Sequence, residues 1–178
     1  MSALRSLIEE ATASDLRGMS DNDLTEEAIE ISRAIDILTH RLAGIADEAR
    51  GRNCFRRAGY LNITRWLADI TDVDDSTARS LVALGSTLAR NLDTSRLASA
   101  GDLSRIRTRV LSRAARSHPD HYERDEAMLL EFAASLTLSD LKKAVVYWSN
   151  CADAEVAESA AAQQSDAPHS MHPRPLEG

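Results

Sequence analysis

The chain has 178 residues, 28 Asp and Glu against 21 Lys and Arg, and a formal net charge of −7 at pH 7. Aromatics are only 4%, and 7 Gly and 4 Pro leave room for long helices, a balance that favours one all-helical domain over a sheet protein. No apolar run approaches the ~20 residues needed to cross a membrane, charge arrives too early in Met1–Glu10 for a signal peptide, and Cys54 and Cys151 lack metal-ligand spacing, so a reducing cytoplasm is the expected compartment.

Residues 3–16 hold at most a short amphipathic helix. Ser20-Asp-Asn-Asp then offers N-caps, with Asp23, Glu26 and Glu27 placed at the positive end of the helix that follows. That helix is expected from about residue 22 to 56. Leu24, Ala28, Ile31, Ile35, Leu38, Leu42, Ile45 and Ala49 recur at alternating steps of four and three, a sustained heptad seam. The seam is expected to lie mostly inside the monomer. The alternative is a homodimer through Leu24, Ile31, Ile35, Leu38, Leu42 and Ile45. Phe55 is expected still to be buried, and Gly59 to stop the chain's helical run.

Residues 64–83 read as helix–turn–helix. Asn62 caps the first helix, and Asp74 or Asp75 the second, which runs to about Arg90. Ala68 and Ala78 allow the close approach of two steeply crossed helices, while Leu67, Val73 and Leu81 fill the wedge. Asp72 holds the turn position usually given to Gly. Outward on the second helix lie Asp74, Asp75, Ser76, Arg79, Ser80 and Ala83; the two carboxylates would repel phosphates, leaving Arg79 as the attractive contact. The alternative is a plain packed corner of a bundle.

A short helix over 94–100 ends at Gly101, and Asp102 or Ser104 starts another that Ser117 and Pro119 close. On a helical wheel Arg105, Arg109, Arg113 and Arg116 fall within about 80° of one another. Leu103, Ile106, Val110 and Ala114 form the expected inward face, and Arg107 sits oddly on the apolar side, to snorkel or to meet a carboxylate. Helices over 122–135 and from 138 to about 150 complete the bundle, the latter opened by Thr137-Leu-Ser-Asp140 and turned inward at Leu138, Leu141, Val145 and Trp148. One domain over 1–156 is thus expected, with 157–178 a disordered tail.

Charge is segregated along the chain. Residues 1–49 and 117–178 each carry a net −7, while residues 50–116 carry thirteen Arg and six carboxylates, a net +7. This central block nominates Arg79, Arg105, Arg109, Arg113 and Arg116, with Arg56 and Arg57, as nucleic-acid contacts. The competing expectation pairs the Arg stripe with the acidic arms, above all residues 120–131, and makes the chain a protein–protein scaffold. Arg56 and Arg57 also suit the negative end of the long helix. His118-Pro-Asp-His121 with Glu123 has ligand residue types but no second cluster. No catalytic constellation, cofactor or metal site is expected.

Several motifs taken together resemble the N-terminal part of the 13E12-repeat family, also called domain of unknown function 222. They are Gly59 with Ile63-Thr-Arg-Trp-Leu-Ala68, Ala78-Arg-Ser-Leu-Val82, Leu97-Ala-Ser-Ala-Gly-Asp-Leu-Ser104, and Leu129 through Leu141. The resemblance spans roughly residues 20–150. It implies a DNA-related role, because members commonly carry a C-terminal HNH nuclease domain. This chain has no Cys-x-x-Cys pair and no His-based metal motif after residue 150, and it lacks the later half of the family domain. Nuclease activity is therefore not carried over, and a truncated or stand-alone, non-catalytic version is expected.

Overall fold

A computed structural model describes residues 3–13 and 15–165. Among the described residues there are nine α-helices and no strand: α1 (Ala3–Ala11), α2 (Asp21–Gly51), α3 (Cys54–Arg57), α4 (Ile63–Thr71), α5 (Asp75–Arg90), α6 (Leu92–Ala100), α7 (Arg105–Ser117), α8 (Pro119–Ser135) and α9 (Leu138–Ser165). A 3₁₀ turn, Leu16–Gly18, separates α1 from α2. The all-α bundle holds, and no described helix is long and apolar enough to span a membrane.

Local chemistry sets the helix starts. Ser20 and Asp23 cap α2 reciprocally, each side chain taking the other's backbone N–H at 3.2 Å. Asn62 accepts from the Arg65 N–H at 2.8 Å, Asp74 from those of Ser76 and Thr77, and Ser104 from that of Arg107. Pro119 opens α8 where a missing N–H costs nothing. Between α4 and α5 Asp72 does take the left-handed turn, at φ 53°. Ala68, Ala78, Leu67 and Leu81 are buried in the corner it forms.

Two expected boundaries are corrected. The long helix stops at Gly51 and does not reach residue 56. Asn53 turns left-handed at φ 54°, and Cys54–Arg57 restarts as a separate turn that buries Phe55. At the other end α9 continues through residues 157–165, part of the stretch expected as a disordered tail. Ala and Gln sustain a helix there by propensity, without a periodic apolar pattern. Residues 166–178 of that expected tail lie outside the described residues.

The heptad seam is corrected as well. The face that α2 turns to the body is Asp36, His40, Ala43 and Ala46, all buried, and not the large aliphatic positions. Leu24, Ile31, Ile35, Leu38 and Ile45 stay exposed, and only Leu42 and Ala49 of the seam tuck in. Small residues win this face because α5 comes in close. A Cβ on Gly85 of α5 would stand 2.1 Å from the Ala43 carbonyl oxygen.

Two main apolar clusters build the core. Ala43, Ala46, Leu67, Ala78, Leu81, Leu84 and Leu88 join α2, α4 and α5. Leu111, Tyr122, Leu129, Leu141, Val145 and Trp148 join α7, α8 and α9. The seam between them is polar and fully satisfied. Ser112 donates to Thr87 at 2.8 Å, Thr94 meets the Tyr122 hydroxyl at 2.9 Å, and the Thr94 hydroxyl donates to Glu126 at 2.6 Å. Of the expected inward face, Leu103 and Ala114 are buried and Val110 partly so, but Thr108, Leu111, Ser112 and Ala115 are buried as well, so the inward face of α7 is rotated from the expected one and Ile106 is exposed.

Candidate functional site

That rotation decides where the arginines of α7 point. With Thr108, Leu111, Ser112 and Ala115 inward, the i, i+4 ladder Arg105, Arg109, Arg113 stands along one edge of the helix, with Arg116 a turn on. The Ser112–Thr87 bond fixes α7 beside α5, and Arg79, Ser80 and Ala83 of α5 face the same edge. Between them runs a groove of about 250 Å³. Its lining includes all five arginines, Arg79, Arg105, Arg109, Arg113 and Arg116, together with the hydroxyl-bearing Thr39, Ser80 and Ser112. Five arginines from two helices, contributed from positions up to 37 residues apart, thus line one concavity.

One of the five is neutralised. Arg105 Nη1 lies 3.3 Å from Oδ1 of Asp36, whose side chain is only 11% exposed. That nitrogen is itself buried and makes no hydrogen bond in the groove. Among the described residues no carboxylate comes within ion-pair distance of Arg79, Arg109, Arg113 or Arg116. Two acidic residues of α8, Asp125 and Glu126, are occupied elsewhere. Arg124 holds Asp125 and Glu155, each at 2.8 Å, and Glu126 serves Thr94. The Arg124 guanidinium holds the Asp125 carboxyl down at about 2 and Glu155 below the usual carboxylate range. The internal pairing expected of the stripe with residues 120–131 is therefore absent among the described residues.

Other sequence candidates are placed differently. Arg56 and Arg57 sit on α3, away from the groove lining. Arg56 lies over the Phe55 ring at 5.8 Å, while Arg57 donates to the Arg52 carbonyl at 2.9 Å and contacts Cys54 Sγ. Arg107 neither snorkels nor meets a carboxylate: its Nη1 donates to the carbonyls of Ala133 and Leu136 at 2.7 and 2.9 Å, closing the C-terminus of α8. Asp74 is spent as a cap, its carboxyl pushed far below the usual range first by the Ser76 hydroxyl and then by Thr77. Its charge stands at the N-terminus of α5, a turn or more from the groove. His118 and His121 face Asp153 and Glu155 at 3.6 and 3.4 Å and pack edge-on to each other, with His118 also edge-on to Trp148.

Sequence reading missed Asp36, Thr39, Ser112 and Lys142. The first three are polar positions on helices read for other patterns, and only the α2–α5–α7 packing assembles them. Lys142 of α9 borders a second groove with Ile106, Val110 and Val146, which Arg109 and Arg113 also line, so those two arginines stand on the crest between the grooves. No protein-family model, curated protein or solved structure matches this chain. The chemistry of the groove therefore has to be read from its own residues.

Proposed function

We propose that this chain is a non-catalytic helical module that holds the phosphate backbone of double-stranded DNA in the α5/α7 groove. The observation that supports this reading is the convergence of Arg79, Arg109, Arg113 and Arg116, with no carboxylate at ion-pair distance among the described residues, on one concave surface that Arg105 extends. Planar, multidentate guanidiniums suit phosphate oxygens better than any other side chain does. The 13E12-repeat resemblance and its DNA-related implication point the same way.

The mode of contact differs from insertion of α5 into a major groove. The α4–α5 corner has helix–turn–helix spacing, but Asp74 and Asp75 occupy the end of α5 that would enter first. The arginines lie further along α5 and across to α7. Contacts are thus chiefly to phosphate, with Arg79 the residue nearest in kind to a base-edge reader. An anisotropy titration of mixed-sequence duplex tests this: binding at low salt that weakens on Arg109→Ala and Arg113→Ala supports it, and no binding at tens of micromolar protein overturns it.

A further inference from the structure

The exposed seam of α2 supports a second inference that stands apart from the DNA reading, because it uses none of the groove arginines. We infer that two copies of this chain pair in parallel through the seam of α2, from Leu24 to Leu38.

α2 runs for 31 residues, and between Asp21 and Ile35 none of them is buried. Its first turns thus project from the body, held at Arg33 by a bond to the Ala100 carbonyl and an ion pair with Asp102 at 2.8 Å. On a wheel of 100° per residue the seam lies roughly 115° around α2 from the face that packs on α5. Leu24 is 39% exposed, Ile31 36%, Ile35 45% and Leu38 40%. A projecting helix with this many aliphatic side chains in water lacks the tertiary packing that stabilises most helices.

Heptad register identifies the occupant. Steps of four and three place Leu24, Ile31 and Leu38 at d and Ala28 and Ile35 at a. Ile at a followed by Leu at d, as in Ile35 and Leu38, is the combination that favours two strands. The flanking positions are compatible with the parallel pair. In a parallel pair Glu27 faces Ser32 of the second copy, Ala34 faces Thr39, and Arg41 faces Ala46, so no two like charges meet. A seam that is apolar at a and d, with Ile35 at a and Leu38 at d, and that brings no like charges together in parallel register, fits a second copy of the same helix.

The rival occupant is α1 of the same chain, whose Leu4, Leu7 and Ile8 are also exposed. Sedimentation equilibrium of the full chain at tens of micromolar separates the two. The expected mass is twice the 19.5 kDa of the chain, halving on Ile31→Asp with Leu38→Asp while circular dichroism and melting of the body stay unchanged. In a Cys54→Ser, Cys151→Ser background, oxidised Ala28→Cys should link to its own counterpart and Glu30→Cys, on another face, should not. A monomer at every concentration overturns the inference. So does a monomer whose melting temperature falls with the two Asp substitutions, which would assign the seam to α1. A dimer that survives those substitutions places the interface elsewhere and overturns it too.

Discussion

Asp36 Oδ1 and Arg105 Nη1 meet at 3.3 Å, and theirs is the one ion pair that ties the arginine groove to α2 among the described residues. Asp36 is nearly buried, while Arg105 keeps 39% of its side chain exposed, so the pair is partly screened. Asp36→Asn keeps the volume and releases one positive charge into the groove. Stability should fall by about 1–2 kcal/mol, between surface and buried pairs, and duplex affinity should rise. Melting curves and an anisotropy titration on the same sample read both. An affinity that drops would show that Asp36 serves to aim Arg105 at the ligand.

Arg107 and Arg109 are neighbours with opposite tasks. Removing the Arg107 side chain leaves the Ala133 and Leu136 carbonyls without their donor. Arg107→Ala should therefore cost about 1–3 kcal/mol in stability and leave the salt dependence of DNA binding unchanged. Arg109→Ala, at an exposed side chain with no ion pair among the described residues, should move stability by less than about 0.5 kcal/mol while weakening the duplex complex. Equal effects of the two on binding would remove the distinction between a capping and a contacting arginine.

Gly85 sets how closely α2 and α5 pack. A methyl there would stand 2.1 Å from Ala43 O and 3.2 Å from Asp47 Cβ. The first contact is with backbone, which cannot rotate away. Gly85→Ala gains about 1 kcal/mol of helix propensity, but separating the helices costs more, leaving a net loss of about 1–3 kcal/mol. Calorimetry should show a melting temperature lower by roughly 3–10 °C for a chain of this size. An unchanged or raised value would mean that the two helices slide apart freely.

The same glycine explains why one part of the chain was legible and another was not. Ser20, Asn62, Asp74, Ser104 and Thr137 announce helix starts because a cap is a local bond, made within three residues. The four-three seam of α2 announces a helix too, but periodicity does not say what the stripe faces. Ala43 and Ala46 win the core side through close approach at Gly85, a tertiary fact invisible along α2 itself. The stripe Arg105–Arg116 was readable from spacing. Its convergence with Arg79 was not, because α5 and α7 are registered by Thr87 and Ser112, hydroxyls that carry no apolar signal.

His40 gives a pH dependence of known sign. It is 3% exposed; its Nδ1 lies 3.0 Å from the Ala98 carbonyl, and its Nε2 has no partner. Burial disfavours the imidazolium and lowers its pKa from the usual 6.5; the Ala98 bond and Asp36 oppose this more weakly. A folded-state pKa below the unfolded one contributes stability above the unfolded pKa, lost as pH falls through the folded value. The melting temperature should thus decline from about pH 6.5 downward, and His40→Asn, which keeps a donor toward Ala98, should flatten that decline. An identical pH profile in the variant would show that His40 is not the source of the decline.

The phosphate-binding claim is tested most directly by the salt dependence of duplex binding. Four arginines free of ion pairs among the described residues, Arg79, Arg109, Arg113 and Arg116, should give a log–log slope of roughly −3 to −4, at about −0.9 per phosphate neutralised. Replacing Arg109 and Arg113 with Ala should flatten it by about two units, with the melting temperature unchanged. A slope near zero, or one that the double substitution leaves intact, would contradict phosphate binding in this groove.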